Sequence, residues 1–231
     1  MNAPTIWPFE LTIGASDHPR NGACLLSAIS WLVYADLDDH PPCVSEVIAE
    51  LARNINDLLP DDERQELKEY IPRLVGTADD SVVEDERVLF LNRYIIDKLF
   101  PLGLASAGLE FLVPALRKLR LVSIVGLKPF VDEIIGQALR DPSWPDAAMS
   151  VLQSRIERGL WSPTGVTTPE TMRSVLESIV LTMQLQPQMA SRFHEDLIGL
   201  LDGVLQIGRR GPFQIDFALA EERIQAFRQA A

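Results

Sequence analysis

Cysteine is scarce in this chain, and long apolar runs are missing from it. Two cysteines among 231 residues do not make the disulfide framework of a small secreted domain. None of the apolar runs reaches the roughly 18 to 20 residues needed to cross a bilayer, so we expect no membrane segment. The opening residues also lack the charged and apolar regions of a secretory signal. We therefore expect a soluble, cytoplasmic protein with reduced thiols.

Basic residues are also few. The chain has 21 lysines and arginines against 33 aspartates and glutamates, which gives a net charge of −12. Proteins that bind nucleic acid neutralise phosphates with clustered lysines and arginines, so we expect no direct binding of nucleic acid. The sequence contains no glycine-rich phosphate loop, no HExxH pattern and no internal repeat. These absences leave the chain without a common nucleotide-binding or zinc-protease signature.

What is present is helical patterning. Hydrophobic residues make up 47% of the chain, and they recur at helical spacing in most segments. The clearest helices are predicted over 22–35 and 44–59, and Ser81 with Glu84 fits a capping box. The polar residues of the 44–59 helix are expected opposite its apolar face: Arg53, Asn54, Asn56 and Asp57. With Phe9–Ile13 as the one candidate strand, we predict an all-α bundle of about nine or ten helices with a short extended N-terminal arm.

The best internal boundary is the stretch 159–168. It is rich in glycine, serine, threonine and proline, and no apolar period crosses it. It divides the chain into a predicted N-terminal helical module, 1–158, and a C-terminal helical segment, 168–231, that packs on this module. A single domain that contains both parts is the alternative.

Metal-binding and nucleophilic residue types concentrate between residues 18 and 43. This segment of 26 positions holds both cysteines and two of the three histidines. Two thiolates and two imidazoles can complete a tetrahedral Zn²⁺ shell, so a candidate zinc site consists of His18, Cys24, His40 and Cys43. Three aspartates of the same segment could instead hold a hard cation together with His40: Asp36, Asp38 and Asp39.

Cys24 is also a candidate nucleophile. It opens the first predicted helix, with Asn21 as the expected N-cap, and a helix N-terminus stabilises a thiolate. The string NGACLLSAIS resembles the nucleophile motif of ovarian-tumour-type cysteine proteases, in which Asp-Gly-x-Cys-Leu-Phe opens a helix. Asn21 and Leu26 depart from that motif, and the alternating strands of that fold are not predicted. The resemblance implies thiol hydrolysis at Cys24 with a histidine as base, for which His194 is available.

A third interpretation of the two cysteines is structural. Free cysteine is among the most buried residue types and behaves as a small hydrophobe. Cys24 belongs to an apolar stripe, and Pro41 and Pro42 explain the turn before Cys43. We favour this interpretation, in which the two thiols face each other across a helix pair as packing.

A longer pattern runs through the first half of the chain. Cys24-Leu-Leu-Ser-Ala is followed by Asp-His-Pro-x-Cys ending at Cys43, by Leu-Pro-Asp-Asp from Leu59, and by Pro-x-Leu-Val-Gly-Thr from Pro72. Together these blocks resemble a family of uncharacterised proteins from bacteria and their phages, over about residues 17–105. The resemblance implies that the first half is one module, and it implies no activity. Ser27 stands where that family has Glu.

The predicted function is that of a non-enzymatic, acidic, helical interaction or accessory protein. Several predicted helices are apolar over more than half their circumference, and such stripes bind a protein partner or a second copy of the chain. The acidity and the phage resemblance also suggest an inhibitor or mimic in a phage–host setting. Cysteine hydrolysis and structural zinc binding are the alternatives.

Overall fold

The described part of the chain is mostly helical. The structure, a computed structural model, describes residues 7–14, 21–106, 110, 113–114, 190–208 and 215–229. Within these residues there is no β-strand. The helical elements in chain order are α1 (Leu25–Tyr34), α2 (Glu46–Leu58), α3 (Asp61–Arg64), a 3₁₀ helix (Gln65–Tyr70), α4 (Ile71–Leu74), α5 (Ser81–Tyr94), a π-helical segment (Ile95–Leu99), α6 (Phe100–Ser106), α7 (Ala190–Val204) and α8 (Phe217–Gln229).

The predicted helical fold is confirmed for these residues, and six of the helices have seven residues or more. The predicted total of nine or ten helices and the boundary at 159–168 involve residues outside the described part of the chain. The chain forms two compact units. The first contains Met1–Glu84 and Leu205–Ala231, and the second contains Asp85–Val204.

Helix α1 is the centre of the first unit. It contacts α2, α4 and α8, and eight of its ten residues are buried. Trp31 of α1 packs edge-on against Trp7, with ring centroids 5.7 Å apart. At the other side, Arg223 of α8 donates a hydrogen bond to the carbonyl oxygen of Leu32 at 2.7 Å. This carbonyl belongs to the last turn of α1, where backbone acceptors lack partners within the helix.

Residues 7–14 form the predicted extended arm. One parallel bridge joins Leu11 with Ala23. It consists of the Thr12 N–H on the carbonyl oxygen of Ala23 at 3.0 Å and the Ala23 N–H on that of Glu10 at 3.2 Å. The expected strand Phe9–Ile13 is therefore reduced to a single bridge within the described residues.

Helix α2 buries polar residues that were expected to face solvent. Asn54 and Asn56 are only 5% and 0% exposed. The side-chain oxygen of Asn56 accepts a hydrogen bond from the Leu25 N–H at 3.2 Å, and its nitrogen donates to the carbonyl oxygen of Thr12 at 3.0 Å. Buried backbone groups need partners, so this amide is required where the arm and the start of α1 meet α2. Two of the four polar residues that were predicted to lie largely opposite the apolar face are therefore buried.

The start of α5 also differs from the prediction. The Asp80 carboxylate accepts hydrogen bonds from two backbone N–H groups in the first turn of α5, at 3.0 and 3.1 Å, so the cap lies one residue before Ser81. The Glu84 carboxylate extends to the start of α2. It accepts hydrogen bonds from the Ser45 hydroxyl at 2.8 Å and from the Val47 N–H at 3.4 Å. The acid that was predicted to close a local capping box therefore joins two helices.

In the second unit, two glycines of α7 receive aromatic side chains of α5. A Cβ atom at Gly199 would lie 2.8 Å from the Tyr94 hydroxyl, and one at Gly203 would collide with the Phe90 ring. Residues four apart lie on one face of a helix. The two glycines thus form a groove for the Phe90 and Tyr94 rings, whose centroids are 5.9 Å apart.

We expect Gly203→Ala to destabilise the chain by about 1 to 3 kcal/mol, because the added methyl group overpacks the contact with Phe90. The direction of the change in stability is informative, because alanine at an open helix position stabilises a helix by about 1 kcal/mol relative to glycine. Urea unfolding followed by circular dichroism measures the change. In a Phe90→Leu background the cost should fall, and an equal cost in both backgrounds would contradict the contact.

Candidate functional site

Cys24 is the N-cap of α1 and not a residue of its first turn. Its backbone is extended, with φ −68° and ψ 161°, and its Sγ accepts a hydrogen bond from the Ser27 N–H at 3.4 Å. The same sulfur lies 3.2 Å from the Ser27 hydroxyl oxygen. The predicted helix start at Gly22 with Asn21 as its cap is therefore wrong, because Ala23 is held by the bridge to the arm.

The position of Cys24 combines two opposing properties. N–H groups at a helix N-terminus favour a thiolate, whereas an exposure of 4% leaves little room for a substrate to reach the sulfur. Ser27 is the hydrogen-bond partner of the thiol. The geometry makes Cys24 a capping residue, and its role as a nucleophile stays a prediction.

Cys43 is buried against the end of α1. It is 4% exposed, and its sulfur accepts a hydrogen bond from the Tyr34 hydroxyl. Burial raises the pKa of the Cys43 thiol, although the Tyr34 hydroxyl and the N–H groups of Cys43 and Gly76 oppose this rise. Tyr34 is 38% exposed, and the partial burial of its hydroxyl, together with the hydrogen bond to Cys43, raises the pKa of Tyr34 to about 12. Both groups are therefore protonated at neutral pH, which does not suit a thiolate nucleophile at Cys43.

We expect Cys43→Ala to lower the pKa of Tyr34. The variant removes the hydrogen-bond acceptor and the thiolate charge that Cys43 carries at alkaline pH. It leaves most of the desolvation, which is the largest cause of the shift, so the pKa should fall from about 12 without reaching the usual tyrosine value. Phenolate absorbance in an alkaline titration measures it, and a Tyr34→Phe variant identifies the Tyr34 signal. Identical titrations of Tyr34 in the parent and in Cys43→Ala would contradict the hydrogen bond.

The raised pKa of Tyr34 also makes folding depend on pH. A phenol with a raised pKa in the folded state keeps its proton at pH values where the unfolded chain has lost it. Its contribution to stability is complete below about pH 10 and is lost as the pH rises toward about 12. Urea unfolding in this range should show a steeper loss of stability for the parent than for Tyr34→Phe, and equal slopes would contradict this linkage.

His40 lies in the loop between α1 and α2, and its side chain is 68% exposed. Its Nδ1 is 2.6 Å from the Asp39 carboxylate, and its backbone N–H donates to the Asp38 carboxylate at 3.1 Å. Arg53 holds this loop by donating to the carbonyl oxygen of Asp39 at 2.5 Å. In the described ranges, Asp38, Asp39 and His40 are the one group of three metal-binding side chains whose ligand atoms lie within 4.8 Å of one another. Asp36 does not belong to this group.

The predicted zinc ligands are only partly within the described residues. His18 lies outside them. Cys24 and Cys43 are free thiols, and neither belongs to a group of three metal-binding side chains in the part of the chain that the structure covers. His40 instead contacts its own neighbours in the loop. His194, the candidate base, is half-buried on α7 in the second unit, and its pairing with Cys24 stays a prediction.

A second set of polar groups lies where the arm meets α3, and sequence reasoning missed it. Arg64 is 3% exposed. Its guanidinium donates to the carbonyl oxygens of Asn56 and Leu59 and to the Asp61 carboxylate, each at 2.6 Å. Carbonyl groups at the end of a helix lack partners and attract positive charge, and these two lie at the C-terminal end of α2.

Gln65 holds the arm on the side opposite its bridge. Its side-chain oxygen accepts the Leu11 N–H and its side-chain nitrogen donates to the Leu11 carbonyl oxygen, both at 2.9 Å. A cavity of about 380 Å³ lies beside this contact, with a wall formed by residues of the arm and of α3. The sequence signal for this site was weak, because charged residues after a proline also fit a solvated helix start.

No helix in the described ranges is long and apolar enough to cross a membrane. Comparison with protein-family models, with curated proteins and with solved structures gave no match to this chain.

Proposed function

We propose that this chain is a non-enzymatic, acidic, helical interaction protein whose partner is a basic protein. The observation that carries the proposal is Ile13, whose side chain is 59% exposed although the arm that bears it is held by hydrogen bonds. The cavity next to Ile13 is also lined by the acidic residues Glu10, Asp61 and Asp62. An apolar side chain held among carboxylates suits a partner with both apolar and basic groups.

Charge favours a different protein over a second copy of this chain. Each copy carries a net charge of −12, so two copies repel each other at low ionic strength. A basic partner is attracted by the same charge, and the attraction raises the rate of association. Static light scattering should therefore show a monomer of 25.8 kDa.

Reciprocal tagging in the source cells tests the proposal. Purification of this chain should recover a basic protein, and purification of that protein should recover this chain. The purified pair should bind more weakly as salt is raised, because screening reduces the charge attraction. Failure of the reciprocal purification, or binding that salt leaves unchanged, would overturn the proposal.

The narrower forms of this proposal come from the sequence. The first is that the protein is cytoplasmic and has nine or ten helices, divided into a module at 1–158 and a segment at 168–231. The second is that it acts as an inhibitor or mimic between phage and host. The acidity of the chain and the pattern shared with the bacterial and phage family support them. Zinc at His18, Cys24, His40 and Cys43 is a separate proposal, which elemental analysis of protein purified without added metal tests.

Thiol hydrolysis at Cys24 is the second candidate, and the location of its sulfur at the N-terminus of α1 favours it. Alkylation in a Cys43→Ala background tests it, because Cys24 is then the one thiol. A capping thiol should react slowly until urea unfolds the chain. Rapid alkylation of the folded chain below about pH 8 would instead support a reactive site.

A further inference from the structure

Hydrogen bonds hold one wall of the cavity between the arm and α3. The backbone of Leu11 is fixed on one side by the bridge to Ala23 and on the other by the Gln65 side chain. The Asn56 side chain fixes the carbonyl group of Thr12 in addition. A preformed wall reduces the entropy lost when a ligand binds, and a volume of about 380 Å³ lies within the range of ligand sites.

Arg64 lines this cavity and is not fully paired. A guanidinium has five N–H groups, and the three hydrogen bonds of Arg64 to described residues use one each on Nε, Nη1 and Nη2. One N–H group on each terminal nitrogen is therefore left without an acceptor in the described part of the chain. A side chain that is only 4% exposed would gain from an additional oxygen acceptor.

The acidic residues of the cavity limit the kind of ligand that can accept hydrogen bonds from Arg64. Glu10, Asp61 and Asp62 also line it. They outnumber the two cations beside them, Arg64 and Lys68, of which Lys68 interacts with Glu10. This excess of negative charge disfavours a phosphate or carboxylate ligand. Nor do the three carboxylates converge on one ion, since no metal-binding group that includes them is found among the described side chains. The suitable ligand has a neutral oxygen acceptor and separate positive charges.

We propose that this cavity binds a short basic segment of the partner protein, with a backbone carbonyl oxygen of the segment on Arg64 and a lysine or arginine side chain on Asp62, since Glu10 already interacts with Lys68. This inference rests on the proposed function and locates it in the fold. Ile13, which is 59% exposed beside the cavity, contacts an apolar residue next to the basic one. Asp61 stays paired with Arg64 and orients the guanidinium.

Calorimetric titration of the full chain with the peptide acetyl-Lys-Leu-Lys-amide at low salt tests this assignment. Asp62→Asn should weaken binding about three- to fivefold, the effect of one exposed charge pair. Glu69→Gln is the matched control, because Glu69 is exposed on the neighbouring 3₁₀ helix and does not line the cavity. It removes the same charge and should leave the affinity unchanged. Ile13→Ser should weaken binding of the Leu-containing peptide more than binding of acetyl-Lys-Gly-Lys-amide.

Other results would overturn the assignment. If Asp62→Asn and Glu69→Gln weaken peptide binding equally, the affinity depends only on the net charge of the protein. Equal binding of acetyl-Glu-Leu-Glu-amide or of inorganic phosphate would show that the cavity takes anions. If the reciprocally purified partner binds Asp62→Asn as tightly as the parent, the cavity is not its site, although the proposed function stands. Failure to find any basic partner would instead remove the proposed function.

Discussion

Replacing Gly22 by alanine is expected to lower the free energy of unfolding by about 2 to 5 kcal/mol. Gly22 has φ +85°, and a Cβ atom there would lie 2.9 Å from Thr12 Oγ1 and 3.2 Å from the Glu10 carbonyl oxygen, with Thr12 Cγ2 closer still. Alanine thus adds a left-handed backbone strain to a steric clash with the arm. Urea unfolding followed by circular dichroism measures the loss.

Gly14→Ala is the matched control for this prediction. Gly14 also has a positive φ, +77°, but a Cβ atom there would meet nothing within 4 Å. Its replacement should cost only the backbone strain, about 1 to 2 kcal/mol. A Thr12→Ala background should reduce the cost of Gly22→Ala and leave that of Gly14→Ala unchanged. Equal costs at both glycines would show that the arm does not pack as closely on Gly22 as described.

Replacing Arg64 by methionine should destabilise the chain by about 2 to 6 kcal/mol, because two buried carbonyl oxygens lose their donor at about 1 to 3 kcal/mol each. Methionine retains much of the volume, so the effect reports the lost hydrogen bonds on Asn56 and Leu59. Lysine cannot rescue it, since an ammonium group lacks the planar fork that reaches both carbonyls. Thermal and urea unfolding of Arg64→Met and Arg64→Lys measure both effects.

Arg53→Met is the control for the arginine prediction. Arg53 also donates to a backbone carbonyl group, that of Asp39, and to the Glu50 carboxylate. Its side chain is 19% exposed, against 4% for Arg64, and water can replace part of what is lost. We expect a cost of about 1 kcal/mol. A loss at Arg53 as large as that at Arg64 would contradict the special role of the buried guanidinium.

Helical periodicity was sufficient to predict the helices of the first half approximately. The predicted segment 44–59 corresponds to α2 with small shifts at both ends, since its apolar residues face the core and a proline follows it. The start of α1 was predicted three residues too early. Ala23 has good helix propensity, but its backbone groups bond to the arm, and this partner is distant in sequence.

The candidate site was less predictable for the same reason. Sequence spacing singled out Cys24 and Cys43, and both are buried free thiols. Their hydrogen-bond partners lie at opposite ends of α1, so the two thiols do not face each other as the favoured structural interpretation expected. The partners of the two thiols, Ser27 and Tyr34, could not be assigned from spacing. Arg64 and Gln65 gave no distinctive signal either. Their importance depends on the carbonyl groups of α2 and on the backbone of the arm, which only folding brings to them.

The sequence by itself determined a helical protein with an acidic charge balance and an extended arm at its start. These properties follow from composition and from local periodicity, which act over a few residues. Tertiary structure alone decided that Cys24 caps a helix, that Glu84 joins α5 to α2, and that Arg64 is buried beside a cavity. Glu84 and Arg64 bond to groups of another segment, and Cys24 becomes the cap because the arm holds the backbone of Ala23. The free energy of such pairing between distant segments is not encoded in the local pattern.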